Sequence, residues 1–305
     1  MKRNVRSNKY WLDNLRAKHD WLFLLPAIVL TTAIFFLPAL QSLVSGFFSI
    51  NLALSGERAF VGVANFIRIA SDERLFEALW NTVRFAAFSV PIEVVLGLGI
   101  AMLLSERFPG RGVARAFILV PWALPTAIMA MAWRWIFNDQ YGVFGGLLMR
   151  AGLVETAPAW LAMPGTAMAA AVLADAWKTT PFAAVILLAG LTSIPQELYE
   201  AAALDGAGAW KRFKLITLPL LRPYLGVVLL FRLIHSFGIF DLIWVLTSGG
   251  PAGTTRTLAL HVYETLFRYL DLGYGSALTV FMAVCLIPLA GVATWVGKSP
   301  VAQAK

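Results

Sequence analysis

Long apolar segments alternate with shorter polar ones along most of this chain. Six apolar segments recur, at about 21–45, 78–104, 113–137, 166–190, 220–247 and 274–297. A helix needs about 20 apolar residues to cross a bilayer, and each segment reaches that length. Because lipid offers the backbone no hydrogen-bond partners, these segments are expected to be helices. The pattern therefore predicts an all-α, polytopic membrane protein with six transmembrane helices.

The predicted helices also divide the chain. A basic N-terminal tail covers 1–20, the six-helix membrane domain covers 21–297, and a short tail covers 298–305. Prolines interrupt several of the predicted helices, at Pro91, Pro121, Pro125, Pro181 and Pro288. Membrane helices accommodate proline by kinking. Kinked helices in this number are typical of spans that surround a gated cavity.

The stretch 191–219 is the long loop between spans that contains clear signals for the start and the end of helices. Ser193 with Gln196 three residues later forms a capping-box pattern, which predicts a helix that continues to about Leu204. The run Ala201–Ala203 gives this helix a smooth face, so that another surface is able to approach its backbone closely.

A turn and a second helix are expected next. Asp205-Gly206 supplies the turn. The following helix is predicted from Ala209 to about Lys214, and Pro219 is expected to end it, because proline breaks the helical hydrogen-bond ladder.

Composition supports an integral membrane protein. The 305 residues are 59% hydrophobic and 14% charged, with a mean hydropathy of +0.73, whereas a soluble domain carries about 25% charged residues. The net charge of +8 comes from Lys and Arg that are concentrated in both tails, the loop after the second span and the 191–219 loop. By the positive-inside rule these segments are cytoplasmic. The charge therefore indicates topology and contact with anionic lipid headgroups rather than nucleic acid.

Ionisable residues inside the predicted spans form a second candidate site, because each costs about 2.5–3.5 kcal/mol at the bilayer centre. The central candidates are Glu93, Asp175, Lys178, Arg232 and His235. Asp175 and Lys178 lie three residues apart on one helical face, so the two are able to pair. Arg232 and His235 have the same spacing and give the fifth span a polar stripe.

Two interpretations of these polar groups stay open. In one, a translocation cavity is lined by Trp177, Lys178, Arg232, His235 and Asp241, with Trp177 stacking on a sugar ring and the charged groups binding hydroxyls. In the other, the charges are packing pairs between helices or subunits. The sequence does not decide between the two for Lys178 and Arg232.

No catalytic or metal-binding constellation is found in the sequence. The histidines, His19, His235 and His261, are scattered without ligand spacing, and Cys285 in the last span is the single cysteine. The stretch 291–299 resembles a phosphate-binding loop, but five residues separate its glycines where four are needed. We therefore expect no catalytic residue, no metal site and no nucleotide site in this chain.

One motif carries a family resemblance. Glu200-Ala201-Ala202, then Gly206, then Ile216-x-Leu218-Pro219 resembles the EAA loop of permease subunits in binding-protein-dependent ABC importers. The family pattern places three residues before the glycine and nine after it, and both spacings are met here. A shared pattern with this many fixed positions favours membership over an ordinary helical hairpin.

Further segments are similar to the carbohydrate-uptake branch of that family, on the side of the larger maltose permease subunit. They lie at 60–66, 132–137 with Tyr141-Gly142, Phe240-Asp241 and 246–251. The loop at 49–77 is short, whereas the maltose subunit has a large external domain between its early spans. Contacts to a binding protein that depend on that domain are therefore not carried over.

The resemblance implies a type I ABC importer permease that docks on an ATPase. The implied ATPase-coupling residues are Glu200, Ala201, Ala202, Ala203, Asp205, Gly206, Ile216, Leu218 and Pro219. The implied partners are a second related permease subunit, two copies of a cytoplasmic ATPase that bind ATP and magnesium, and an extracytoplasmic solute-binding protein. The implied location is a bacterial or archaeal cytoplasmic membrane, with both termini cytoplasmic.

The resemblance also implies the cargo, a disaccharide, an oligosaccharide or a related polyol. Glycerol phosphate or another small solute is the alternative, because Lys178 and Arg232 leave an anionic substrate open. An ion-coupled secondary transporter is a weaker alternative. It would leave the EAA-like loop unexplained, and no internal repeat is seen.

Overall fold

The computed structural model describes residues 20–54 and 56–298. Within them, five helices are long and apolar enough to cross a membrane: Leu24–Ser45, Glu73–Ser105, Pro164–Ser193, Ala209–Phe237 and Leu272–Val296. The pair Arg111–Ala123 and Thr126–Ile136 is also long and apolar enough when taken together, but it is bent by 91°; counted as one broken span, it brings the number to six. In chain order these are the first to sixth spans, with the bent pair as the third. The predicted all-α architecture is confirmed, while the tails predicted at 1–20 and 298–305 lie almost wholly outside the described residues.

Shorter elements connect the spans. Strands β1 (Phe48–Ile50) and β2 (Arg58–Phe60) form an antiparallel hairpin after the first span, with Ser49 opposite Ala59. The short helices are Ala64–Ile69, Val143–Arg150, Gln196–Leu204, Asp241–Leu246 and Leu258–Tyr263. The π-helical turns are Thr32–Phe36, Phe213–Thr217 and Glu264–Arg268. Because successive spans alternate in direction, Gln196–Leu204 lies at one end of the molecule and the hairpin at the other.

The fourth span is the centre of the packing. It lies against the second, third and fifth spans. In its most apolar 18-residue stretch, 72% of the residues are buried, whereas none are buried in the corresponding stretch of the first span. Gly97 permits the close approach of the second span, since a Cβ at that position would lie 2.8 Å from the Cβ of Ala183. The first span is peripheral and packs on the sixth.

The third span differs from the single helix predicted over 113–137. Its first half ends at Ala123, Leu124 is extended with ψ 137°, and the second half begins after Pro125. Proline disfavours the helical conformation of the residue before it, so Leu124 leaves the helix. The kink expected from the sequence is therefore a complete break.

The fifth span begins and ends earlier than the predicted 220–247. It runs from Ala209 to Phe237 and absorbs the segment predicted as a separate helix ended by Pro219. The π-helical turn Phe213–Thr217 comes directly before Leu218 and Pro219. The regular hydrogen-bond ladder is already interrupted there, so the missing N–H of proline is accommodated. The expectation that Pro219 ends a helix is wrong.

The predicted capping box at Ser193 is also wrong. Ser193 is the last residue of the fourth span, where its Oγ donates to the Gly190 carbonyl at 2.7 Å and accepts from the Tyr224 hydroxyl at 3.1 Å. The helix Gln196–Leu204 follows Pro195, whose fixed φ suits a helix entry. The helix itself ends at Leu204 as predicted, and we call it the loop helix.

Candidate coupling and transport sites

The loop helix ends in a geometry that glycine adopts without strain. Gly206 has φ +76°, its N–H donates to the Ala203 carbonyl at 3.0 Å, and the Ala207 N–H donates to the Ala202 carbonyl at 2.9 Å. These two bonds are a Schellman motif, which satisfies carbonyls at the end of a helix. A side chain costs roughly 1–2 kcal/mol in this left-handed conformation. Gly206, with Asp205 as the C-cap residue, therefore sets the sharp exit from the loop helix.

One face of this region is exposed and partly apolar. Glu200 and Ala201 are exposed, Leu204 is 90% exposed, and Trp210 at the start of the fifth span is 75% exposed. The Trp210 ring stacks on Phe213 with centroids 5.5 Å apart. Leu204 and Trp210 thus place large apolar side chains at this surface. We call Glu200, Ala201, Leu204 and Trp210 the docking face.

The inward face of the loop helix contacts the fifth span. Tyr199 and Ala202 are half-buried, and the Tyr199 hydroxyl lies 2.9 Å from the Thr217 Oγ1. The predicted coupling residues that follow the glycine lie within the fifth span rather than in the loop: Ile216, Leu218 and Pro219. The predicted motif thus spans two elements, an exposed helix and the start of a membrane span.

Arg232 is the centre of a buried charge cluster. Its Nη2 donates to Glu93 Oε1 at 2.7 Å and to Asp175 Oδ2 at 2.7 Å, and its Nε bonds to Glu93 Oε2. These three residues are at most 3% exposed, so their charges depend on one another for compensation. They come from the fifth, second and fourth spans. We call Arg232, Glu93 and Asp175 the charge cluster, and it ties those spans together.

Lys178 stabilises the break in the third span. Its Nζ donates to the Leu124 carbonyl, which is freed where the first half of that span ends. Inside a membrane a freed carbonyl needs a donor, and a cation is favourable at the carbonyl end of a helix. The predicted ion pair of Asp175 with Lys178 is therefore wrong: Asp175 pairs with Arg232, and Lys178 bonds to the backbone.

The other predicted cavity residues are more exposed than Lys178 and Arg232. Trp177 is 43% exposed and meets Trp133 edge to face, with ring centroids 5.8 Å apart. His235 is exposed, and its Nδ1 lies 3.1 Å from Arg232 Nη1. Asp241 is exposed at the first residue of the short helix after the fifth span. The predicted set is therefore divided. Lys178 and Arg232 are buried and take part in packing, whereas Trp177, His235 and Asp241 are exposed.

At the end opposite the loop helix, one carboxylate joins three elements. Asp72 accepts from the Leu75 N–H at 3.1 Å and from the Tyr274 hydroxyl at 2.6 Å, and its Oδ2 lies 3.3 Å from His261 Nε2. Burial raises the pKa of Asp72, but these hydrogen bonds outweigh it and hold the pKa below its ordinary value. Burial lowers the pKa of His261, against the opposing attraction of Asp72. The site therefore favours an ionised carboxylate beside a neutral imidazole.

Sequence reasoning missed Tyr199 and Thr217 and did not assign Glu93 to Arg232. The i, i+3 spacing of Tyr199 and Ala202 was a local signal for an inward face. The partners across spans had no such signal. Among the described residues, no group of three His, Cys, Asp or Glu side chains is placed to hold a metal ion.

Comparison with known proteins covers most of the chain. Residues 93–300 match the family described as binding-protein-dependent transport system inner membrane component. The trehalose/maltose transport system permease protein MalF of Thermococcus litoralis is 42% identical over 286 residues, 92% of this chain and 94% of that protein. The sulfoquinovosyl glycerol transport system permease protein SmoG of Agrobacterium fabrum is 39% identical over 272 residues, 89% of this chain and 88% of that protein.

A solved structure has the same fold. It is a bacterial ABC transporter involved in the import of the acidic polysaccharide alginate, and the likeness has a TM-score of 0.79. It covers 95% of this chain and 98% of that chain at 22% sequence identity. At this identity the likeness concerns the fold alone.

Proposed function

Because the chain belongs to the family of binding-protein-dependent transport system inner membrane components, we propose that it imports a sugar or a related polyol. As a member of that family it is a multi-pass membrane permease subunit without catalytic activity, and separate subunits hydrolyse ATP. The observation that carries the sugar proposal is the 42% identity, over 92% of the chain, to a permease named for trehalose and maltose.

The polar groups inside the spans favour a neutral cargo over glycerol phosphate. The Arg232 guanidinium is bound by Glu93 and Asp175, and the Lys178 ammonium is bound by a backbone carbonyl. The charge of Arg232 is therefore compensated by two carboxylates, and one of the three N–H donors of Lys178 is occupied by the Leu124 carbonyl. Trp177 presents an exposed aromatic ring, which suits the apolar face of a sugar.

The loop helix is proposed as the contact to the ATPase. Ala201 permits close approach, while Leu204 and Trp210 offer exposed apolar area for a cleft on that partner. Closure of the ATPase dimer on ATP would move the loop helix and with it the spans. The full assembly then contains this chain, a second related permease, two ATPase copies that bind ATP and magnesium, and an external solute-binding protein.

The proposed orientation puts the loop helix and both termini on the cytoplasmic side of a bacterial or archaeal membrane. It is tested by thiol labelling, because Cys285 is the single cysteine and Cys285→Ser removes the background. In that background, Arg107→Cys, which is exposed between the second and third spans and lies outside the docking face, should react with an impermeant reagent only from the cytoplasmic side. Tyr141→Cys, which is 68% exposed between the third and fourth spans, is the matched control and should react only from outside. The reverse pattern contradicts the orientation.

The cargo and the importer class are tested together in proteoliposomes. The assembled complex is given its binding protein loaded with neutral disaccharides or with glycerol phosphate, and ATP hydrolysis and uptake are both measured. Stimulation by the neutral sugars supports the proposal, whereas stimulation by glycerol phosphate alone refutes the sugar cargo. Uptake driven by an ion gradient without ATP would support the ion-coupled alternative.

A further inference from the structure

One side-chain hydrogen bond connects the loop helix to the fifth span. It joins the half-buried Tyr199 hydroxyl to the Oγ1 of Thr217, which is 5% exposed, at 2.9 Å. Two hydroxyl groups meet here, and either atom is able to donate. Tyr199 thus turns its polar end toward the membrane domain, while Glu200 and Ala201 are exposed.

The backbone between these elements is a short turn that contains two glycines. It runs through Gly206, in the left-handed conformation, and Gly208, and at neither residue would an added Cβ meet an atom within 4 Å. Glycine permits wide backbone rotation. Joined by this turn alone, the loop helix could rock without moving the fifth span. The hydrogen bond from Tyr199 restricts that motion.

Thr217 is well placed to pass on a displacement. It is the last residue of the π-helical turn Phe213–Thr217, and the fifth span continues from it to Phe237. Arg232 follows fifteen residues later on the same helix, about 22 Å away at the helical rise. Through the charge cluster, Arg232 holds the second and fourth spans. A movement of Thr217 along the helix axis would therefore displace the fifth span and, through the charge cluster, the second and fourth spans.

We propose that Tyr199 and Thr217 are positioning residues that transmit movement of the loop helix to the fifth span. This inference rests on the proposed ATP-driven import. It identifies the contact through which movement of the loop helix is transmitted to the membrane domain. Loss of the contact leaves the docking face intact, so ATP is still hydrolysed. A smaller share of the hydrolysis cycles then leads to opening of the spans, so less solute is taken up per ATP hydrolysed.

The test removes single hydroxyl groups and measures solute taken up per ATP hydrolysed in proteoliposomes. Tyr199→Phe and Thr217→Val each delete one partner while retaining side-chain size. Each variant should lower the ratio about fivefold, the factor that corresponds to one typical hydrogen bond. The double variant should fall no further than the single ones, because both remove the same contact.

Tyr224→Phe is the matched control. It also deletes a tyrosine hydroxyl on a hydrogen bond of the fifth span, at 3.1 Å to Ser193, but that bond ends on the fourth span rather than on the loop helix. The control should keep the wild-type ratio. The thermal unfolding of the solubilised complexes should be alike for Tyr224→Phe and Tyr199→Phe.

The outcomes separate this inference from the proposed function. An unchanged ratio in Tyr199→Phe, an additive loss in the double variant, or an equal loss in Tyr224→Phe overturns the transmission role while ATP-driven import stands. If the wild-type complex itself shows no ATP-dependent uptake, the proposed function fails and the inference fails with it.

Discussion

The loop helix and the charge cluster show two opposite ways to hold charged or polar groups in a membrane protein. The loop helix is exposed on most of its length, and one side-chain hydrogen bond connects it to the fifth span. The charge cluster is buried, and each of its three charges has a partner on another span. The exposed helix suits the partner contact and the movement that we propose for it, whereas the charge cluster keeps three spans together.

The difference lies in how costly it is to break each contact. A typical neutral hydrogen bond, such as that of the part-buried hydroxyl pair, contributes about 1 kcal/mol, since folding exchanges it for hydrogen bonds to water. A buried guanidinium with two carboxylates cannot be separated without leaving charges in an apolar surrounding. The loop helix is therefore expected to move together with the fifth span through its link to Thr217, while the charge cluster stays closed.

The largest expected effect comes from removing the centre of the charge cluster. Arg232→Leu leaves Glu93 and Asp175 buried without a cation, which should cost about 3–5 kcal/mol of folding free energy. Thermal unfolding in detergent measures the loss. Adding Glu93→Gln and Asp175→Asn to the same variant should recover most of it, because the uncompensated charges are gone. A single Arg232→Leu variant as stable as the wild type would show that the cluster is not a packing element.

A smaller loss is expected at the break in the third span. Lys178→Met leaves the Leu124 carbonyl without its donor, which should cost about 1–3 kcal/mol in the same unfolding measurement. Lys178→Arg is the conservative variant and should retain most of the stability, because it keeps a cationic donor. Equal losses in the two variants would count against the role of the ammonium at that carbonyl.

A local effect on coupling is expected at the end of the loop helix. Gly206→Val forces a branched side chain into φ +76°, at a cost of roughly 1–2 kcal/mol confined to the Schellman turn. Membrane insertion should be normal, and uptake per ATP hydrolysed should fall. Gly208→Ala is the control, since Gly208 has φ −65° and open space around its Cβ position. Normal uptake by Gly206→Val at normal expression would disprove the proposed role of the loop helix in coupling.

The smallest effect concerns pH at the opposite end. His261 has a lowered pKa in the folded state, so the unfolded chain binds its proton more readily, and stability falls as pH drops below about 6.5, its ordinary value. The lowered pKa of Asp72 acts with the same sign at more acid pH. Arg256 and Glu264 also act on the imidazole, with opposite signs. His261→Gln should flatten the upper part of a plot of unfolding temperature against pH; an unchanged plot would contradict the assignment.

Features set by neighbouring residues were predictable. The number of spans, the loop helix with its end at Leu204 and the turn at Gly206 follow from apolar length and glycine chemistry, which operate over a few residues. The orientation of the termini stays a prediction. Two local patterns failed, at Ser193 and Pro219. The serine finds partners within the fourth and fifth spans, and a π-helical turn accommodates the proline.

The sequence by itself determined that this chain is a helical, polytopic permease, because apolar length and motif spacing are read directly from the residues. Only the tertiary structure decided the partners of the buried groups. Asp175 lies three residues from Lys178 yet binds Arg232, 57 residues away, and Arg232 also binds Glu93, 139 residues away. The reason is physical: in an apolar interior a charge takes the partner that packing brings within hydrogen-bond distance, and packing is set by all the spans together.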